Sequence, residues 1–274
     1  MKLPEHLNKK QPVLFLSHGG GPWPWMMEEM PGVWDKLFDS LTSLPASLPM
    51  KPAAILLVTA HWIESEFCVS TDENPGMIYD YGGFPPHTYK VVYPARGSSA
   101  VGEQVAHLAN EVGVKVNVQQ VRGFDHGTFC VTQVMYPNAD VPVIQMSIKR
   151  SFSPNEHLRL GRALRKLRDE NILIVGSGLS FHNLGLMGPK AKEPSMAFDK
   201  WLQGIVVNRS GDDRNVALSK WEDAPFARVA HPREDHLIPL MVAVGAAEDE
   251  QGRLIYHEEN VFGGWTVSAF RFGD

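Results

Sequence analysis

The stretch PVLFLSHGGGP, residues 12–22, is central to how the chain folds. Its apolar residues 13–16 predict a short buried strand, and the glycines after them predict a tight turn. His18 lies where strand meets turn, which in open α/β sheets is the edge where ligands bind. Two later stretches repeat the pattern, since AAILLVTAHW carries His61 and ILIVGSGLSFHN carries His182. Three histidines placed in this way indicate a shared site.

The order of the predicted elements favours an α/β fold. Ser153 as N-cap, Pro154 at the first helical position and Glu156 at the third predict a helix that leads directly into the strand before His182. Strand–helix–strand order is typical of a parallel sheet. Further helices are predicted over 34–44, 99–112 and 196–207 and from near Asp235, and strands over 115–121, 141–148 and 266–272. We expect a single three-layer catalytic domain over residues 1–274, with a mostly parallel central sheet, helices on both faces and a loosely ordered segment at 1–11.

The composition is typical of a soluble globular protein. Hydrophobic residues make up 43% and charged residues 21% of the 274 residues, and the formal net charge is −5. This charge gives no reason to expect nucleic acid or an anionic membrane as partner, and no apolar stretch is long enough to span a bilayer. Cys68 and Cys130 are far apart and are expected to be free thiols in a reducing compartment. We expect a cytoplasmic protein, a monomer or homo-oligomer, that acts on a small molecule.

Five of the eleven histidines lie next to small or turn residues at the end of a predicted element: His18, His61, His126, His182 and His236. Four others lie in polar or helical contexts and are expected at the surface: His6, His107, His157 and His257. Any one of the five could be a hydrogen-bonded histidine in a partly buried turn. For His18, His61 and His236 together a metal site is favoured, because histidine is the commonest metal ligand among side chains. No local metal motif is present, so these ligands would converge from distant strands.

A serine hydrolase is the first alternative. Residues 18–21 spell HGGG, the oxyanion-hole motif of some lipases and esterases, but such enzymes also need a GxSxG nucleophile elbow. The sequence after Ser180 continues to His182 instead of glycine, and Ser177 lacks the glycine two positions before it. The serine hydrolase interpretation is therefore disfavoured. Two aromatic-rich loops, residues 22–30 and 72–99, are expected to form the substrate pocket, although neither shows a residue that selects a carboxylate or an amine.

The ordered motifs LSHGGGP, TAHW, YGGFP, YPARGS, GFDHGTF, LSFHNL and AHPREDHLIPL resemble the DODA-type extradiol ring-opening dioxygenases. These enzymes belong to the superfamily of the protocatechuate 4,5-dioxygenase catalytic subunit, and the resemblance runs from about residue 12 to 272. It implies a mononuclear non-haem metal held by His18, His61 and His236, with Fe(II) expected for activity and Zn(II) as a metal the purified protein could carry. Protocatechuate-type enzymes have a glutamate at the third position, so Glu234 or Asp235 stays open as an alternative ligand.

The resemblance also implies roles for the other two histidines. His182 would be either a fourth ligand or the base that deprotonates the catechol, and His126 would stabilise or protonate intermediates. The expected reaction inserts O2 into a DOPA-like or other dihydroxyphenyl compound, next to the two hydroxyl-bearing carbons rather than between them, and gives a ring-opened semialdehyde. Two alternatives remain: a zinc-dependent hydrolase on the same fold and a non-catalytic metal-binding relative.

Overall fold

One mixed β-sheet positions the rest of the chain. The structure, a computed structural model, describes residues 10–274. Within that range the strands of the sheet are β1 (Val13–Ser17), β2 (Ala54–Glu64), β3 (Phe67–Ser70), β4 (Val116–Gln119), β5 (Val143–Lys149), β6 (Ile172–Gly178), β7 (Gly252–Val261) and β8 (Trp265–Phe272). Their order across the sheet is β4-β3-β5-β2-β6-β1-β8-β7.

The central strands are parallel and buried on both faces. β6 pairs in parallel with β1 on one side and with β2 on the other, and β2 pairs in parallel with β5. Strands covered on both faces are near-continuous apolar runs, which is why the sequence revealed them. The antiparallel pairings of β8 with β1 and of β7 with β8 extend one side of the sheet. Neither β3 nor β7 was predicted: β3 has four residues, and β7 is an edge strand in which charged residues interrupt the alternation.

The α-helices are α1 (Asp35–Ser43), α2 (Ser99–Glu111), α3 (His126–Met135), α4 (Pro154–Leu164), α5 (Lys192–Asn208), α6 (Gly211–Ser219), α7 (Ala227–Ala230) and α8 (Ile238–Ala247). Short 3-10 turns connect several of them. Pro239 lies in the first turn of α8, where its missing N–H does no harm. Ser153 caps α4 as predicted, because its hydroxyl accepts the backbone N–H of Glu156.

Two neighbouring residues of β6 show that helices cover both faces of the sheet. The Ser177 hydroxyl donates to the backbone carbonyl of Gly127 in α3. A side chain on Gly176 would instead meet the carbonyl of Pro239 in α8, 2.4 Å away. Successive residues of a strand point to opposite faces, so α3 and α8 lie on opposite sides. The prediction of one α/β domain with a sheet between helices is confirmed.

The structure corrects one surface assignment and does not test another. His157 was expected at the surface, but it is fully buried in the first turn of α4. Its Nδ1 donates to the Ser153 carbonyl at 2.7 Å and its Nε2 accepts the N–H of Lys149 at 3.0 Å, so the ring joins α4 to the end of β5. His6 and most of the segment expected to be loosely ordered lie outside the described residues. Gln11 of that segment is buried and hydrogen-bonded to Met50 and Asn171.

No helix within residues 10–274 is long and apolar enough to cross a membrane.

Candidate metal centre

Two of the predicted histidines come from chain segments that adjoin the end of β6. His18 directly follows β1, and its N–H donates to the carbonyl of Gly178 at the last position of β6. His236 ends a short 3-10 turn before α8, and its carbonyl accepts the N–H of Leu179. The carboxyl end of a parallel strand is where open α/β sheets bind ligands. Both histidines therefore lie at the edge of the sheet that the sequence indicated.

His61 reaches this edge by a different route from the one expected. It lies inside β2 rather than at its end. β2 pairs with β6 only as far as Thr59, and its register with β5 shifts between Val58 and Ile63. Such irregularities re-aim a side chain, and here the side chain is that of His61. The backbone N–H of His61 also donates to the Thr59 hydroxyl at 3.1 Å.

The rings of His18, His61 and His236 converge. Their ring centroids are 4.8, 4.9 and 5.1 Å apart, and one nitrogen of each lies within 4.8 Å of the others. The Nε2 atoms of His18 and His61 are 3.3 Å apart. Two nitrogens that bind one metal at about 2.0–2.1 Å are separated by about 3.0–3.5 Å, so this spacing fits a shared ion.

Carboxylates on the outer side fix which ring nitrogen faces inward. Nδ1 of His61 lies 3.2 Å from a carboxylate oxygen of Asp80, and Nδ1 of His236 lies 3.0 Å from Asp235. A histidine that donates from Nδ1 presents the Nε2 lone pair to a metal. Nε2 of His236 is buried and has no hydrogen-bond partner within the described chain. An unpartnered buried nitrogen costs stability unless something else binds it, so the donor set fits a metal ion.

The alternative acidic ligands are already engaged. Asp235 accepts both the backbone N–H and Nδ1 of His236 through the same oxygen. Glu234 forms an ion pair with Arg228 at 2.7 Å. An Asp235 oxygen lies within 4.8 Å of a ring nitrogen of His182 and of one of His236. Its contacts with His236 orient that ring.

Asp80 is the main residue that sequence reasoning missed. It lies in the aromatic loop 72–99, and its two oxygens contact His61 and His126. An isolated parallel bridge between Met77 and Phe124 ties this loop to the segment just before α3, which brings Asp80 close to His126. The one signal in the sequence was an acidic residue inside a loop already expected to form the pocket.

A buried carboxylate, Asp125, positions His126. Asp125 caps α3 by accepting the N–H of Thr128 and also accepts the hydroxyl of Thr59 in β2. Burial raises the pKa of Asp125, although the charges of His61 and Arg122 act in the opposite direction. The sequence placed His126 beside small or turn residues at the end of an element, and the structure shows it as the first residue of α3, a helix that was not predicted. The Asp125 cap was the overlooked signal for a helix start.

His182 is stacked on His236. Their ring centroids are 3.5 Å apart and their planes differ by 12°. His182 reaches this position through the loop after β6, where its backbone N–H donates to the Ala230 carbonyl. All five histidines predicted from the sequence therefore lie in one cluster.

The protein environment keeps most of this cluster neutral. Burial, and then the nearby histidines, lower the pKa of His18 and His236 well below the ordinary value of 6.5. Burial also lowers the pKa of His126, and it lowers that of His182 to about 4. Burial acts to lower the pKa of His61 as well, but its hydrogen bond with Asp80 and the nearby carboxylate charges outweigh it, so the pKa is raised. Neutral imidazole is the form that binds metals.

The five histidines and Asp80 line a cavity of about 470 Å³. Gly19, Gly20 and Gly21 form another part of its wall, and the remaining lining is mostly apolar and aromatic. A mostly apolar cavity of this size with a few convergent polar groups is typical of a small-molecule site.

Comparison with known proteins gives the family that this chain resembles. Residues 12–272 match the family described as the catalytic LigB subunit of aromatic ring-opening dioxygenase. The dioxygenase tasH of Hapsidospora irregularis is 38% identical over 272 residues, which cover 90% of this chain and 82% of that protein. The 4,5-DOPA dioxygenase extradiol of Escherichia coli K12 is 32% identical, with 96% and 95% covered. A crystal structure of an uncharacterized Escherichia coli K12 protein superposes with a TM-score of 0.78 at 28% identity, covering 96% of this chain and 100% of that one.

Proposed function

The chain belongs to the LigB family of aromatic ring-opening dioxygenase catalytic subunits, and on this basis we propose that it is an extradiol dioxygenase acting on a catechol. It would insert O2 next to the two hydroxyl-bearing carbons and release a ring-opened semialdehyde. The observation that carries the proposal is the convergence of His18, His61 and His236 in a cavity that His126 and His182 also line.

His18, His61 and His236 would hold the metal. Imidazole nitrogens suit both iron and zinc, and we propose Fe(II) as the working metal, with Zn(II) as one that could occupy the site on purification. Fe(II) bound there would supply the one-electron chemistry that lets O2 react with an aromatic ring. Asp80 and Asp235 orient two of the three rings through their Nδ1 atoms.

We assign His182 the role of base rather than fourth ligand. The group of ring nitrogens from His18, His61 and His236, which lie within 4.8 Å of one another, does not include a nitrogen of His182. The ring of His182 instead stacks on that of His236, with centroids 3.5 Å apart. His182 is therefore free to take a phenolic proton from the catechol.

His126 would act on the reacting atoms from another wall of the cavity. Asp80 engages its Nδ1 at 2.9 Å and also accepts its backbone N–H at 2.9 Å, so the ring is fixed in two ways. With Nδ1 donating to Asp80, Nε2 of the neutral ring carries a lone pair, so it would accept a hydrogen bond from a substrate hydroxyl and could protonate a substrate oxygen only after taking up a proton itself. Since Asp80 also contacts His61, movement of this acid–base group would be coupled to the proposed metal ligand.

Oxygen uptake by the iron-loaded protein tests the proposal. Apoprotein reconstituted anaerobically with Fe(II) should consume O2 with at least one member of a catechol panel and form a yellow ring-opened product. His182→Asn should retain the metal but lose about 10²–10⁴-fold in rate. The loss should shrink in alkaline solution, where the catechol ionises without help.

Two outcomes would contradict this function. One is the absence of O2 uptake with every catechol despite stoichiometric iron. The other is turnover of esters or amides by the zinc form without O2, which would support a metal-dependent hydrolase.

A further inference from the structure

The cavity wall beyond the histidines is apolar. Its outer lining includes Met30, Phe84, Leu184, Met187 and Phe262, and no lysine or arginine is among the described residues that line it. Asp80 is the only acidic side chain among the lining residues within the described part of the chain, and His61 and His126 engage it. A substrate carboxylate held away from the histidines would therefore find no lysine or arginine among these lining residues.

The two other polar side chains of the wall have their donor protons in use. The indole N–H of Trp265 donates to the Leu186 carbonyl at 2.7 Å. The hydroxyl of Tyr81 donates to the Thr88 carbonyl at 2.6 Å. Both residues thus present mainly their rings to the cavity. A charged substituent that enters here loses water without gaining a donor from either side chain.

The exposed fractions of the lining residues show where the cavity opens to solvent. His18 and His236 are 1% and 4% exposed, whereas Leu184 and Met187 are 66% and 46% exposed. All four line the same cavity, so its mouth carries large apolar side chains open to solvent. A ligand that fills the cavity and reaches its mouth would contact these two side chains.

The cavity is larger than an unsubstituted ring needs. A cavity of about 150 Å³ can hold benzene, whereas this one measures about 470 Å³. A substituent para to one catechol oxygen points away from both oxygens. With the oxygens near the histidines, such a substituent would run toward Leu184 and Met187.

We propose that the substrate is a catechol with an uncharged, apolar substituent, whose ring lies near the histidines and whose substituent contacts Leu184 and Met187. This inference rests on the proposed ring-opening function and narrows its substrate class. It disfavours a catechol with a carboxylate on its side chain, including DOPA, because the described lining holds no lysine or arginine and the donors of Tyr81 and Trp265 are already in use.

A matched pair of ligands tests the proposal. Hydrocaffeate and 4-isopentylcatechol have side chains of the same shape that differ in charge. We expect at least a tenfold preference for 4-isopentylcatechol, both in kcat/KM of the iron-loaded protein and in Kd measured anaerobically by calorimetry. DOPA should rank with hydrocaffeate. Equal or tighter binding of hydrocaffeate or DOPA would overturn the proposal.

The calorimetric measurement separates this inference from the proposed function. If no catechol is cleaved, the proposed function fails, while the ratio of the two dissociation constants still decides the substrate class. If catechols are cleaved with no preference between the pair, the substrate class fails and the function stands.

A charge introduced at the mouth provides a second test. Leu184→Lys should improve hydrocaffeate binding relative to 4-isopentylcatechol by about tenfold, because it supplies the missing cation. Leu254→Lys is the matched control, since Leu254 is also exposed, at 39%, but does not line this cavity. An equal shift in both variants would contradict the assignment of Leu184 to the substituent site.

Discussion

Asp80 contacts two histidines of the cluster at once. One of its oxygens lies 3.2 Å from Nδ1 of His61 and the other lies 2.9 Å from Nδ1 of His126. A single carboxylate from the 72–99 loop thus joins a strand residue, proposed to bind the metal, to a helix residue, proposed to act on the substrate. Burial acts to raise the pKa of Asp80, but the bonds to these two histidines outweigh it and hold that pKa below its usual range.

Asp80→Asn should weaken metal binding without removing it. The amide keeps the shape of the side chain but loses the charge that orients His61, and loss of such an orienting partner typically costs about 10–100-fold in metal affinity. Competition with a chelating dye measures the change. Asp140→Asn is the control, because Asp140 is an exposed carboxylate that pairs with Lys51 and does not line the cavity. An affinity within twofold of the parent protein would contradict the role of Asp80.

His18→Ala and His126→Ala should have different effects. The first removes one of three convergent nitrogens, so bound metal should fall well below one equivalent and activity should vanish. The second removes a group that Asp80 holds beside the site, so metal should remain while the rate drops by about 10²-fold or more. Metal analysis together with O2 uptake distinguishes the two variants. His107→Ala, which removes an exposed histidine, is the control. Full metal stoichiometry in His18→Ala would disprove the proposed ligand set.

Gly21→Ala should damage the cavity as well as the backbone. Gly21 has φ +55°, and a Cβ there would lie 2.5 Å from the ring of Phe84, which lines the cavity. Gly32→Ala is a matched control, because Gly32 has φ +78° but nothing within 4 Å of its Cβ position. Both variants should lose about 1–2 kcal/mol of stability from backbone strain. Only Gly21→Ala should also raise KM, and equal KM values in the two variants would contradict this prediction.

His157, which does not line the cavity, should make the stability of the protein depend on pH. Burial lowers its pKa to about 4 in the folded protein, against 6.5 in the unfolded chain. Between those values the unfolded chain binds the proton that the folded protein excludes, so stability falls as pH decreases from 6.5 toward 4. At the acidic end of this range, the shift lowers the free energy of unfolding by up to about 3 kcal/mol.

His157→Gln removes the titration and keeps an acceptor for the Lys149 N–H. Urea unfolding at several pH values measures the free energy of unfolding. Below pH 6.5 this free energy should fall less steeply with decreasing pH in the variant than in the parent protein. His107→Gln, at an exposed position, should leave the slope unchanged. An identical slope in His157→Gln and the parent would show that His157 does not carry this dependence.

Local patterns predicted most of the framework. Predominantly apolar runs marked β1, β2, β5 and β6, because strands buried on both faces carry few polar residues. The N-cap of α4 marked the start of that helix correctly, and Pro239 lies in the first turn of α8 as predicted, although α8 begins at Ile238 rather than near Asp235. The short strand β3, the edge strand β7 and the helix that begins at His126 lacked a comparably strong pattern.

By itself, the sequence determined the parallel core and the five histidines that gather beside it, since strand ends in such a sheet share one edge. Only the tertiary structure decided which nitrogens face one another, that Asp80 joins His61 to His126, and that His182 stacks on His236. These relationships depend on the register shift in β2 and on the 72–99 loop, which is held by contacts between residues distant in sequence. Hydrophobic periodicity reports the local burial of a segment, whereas the orientation of a polar side chain depends on which distant partner reaches it.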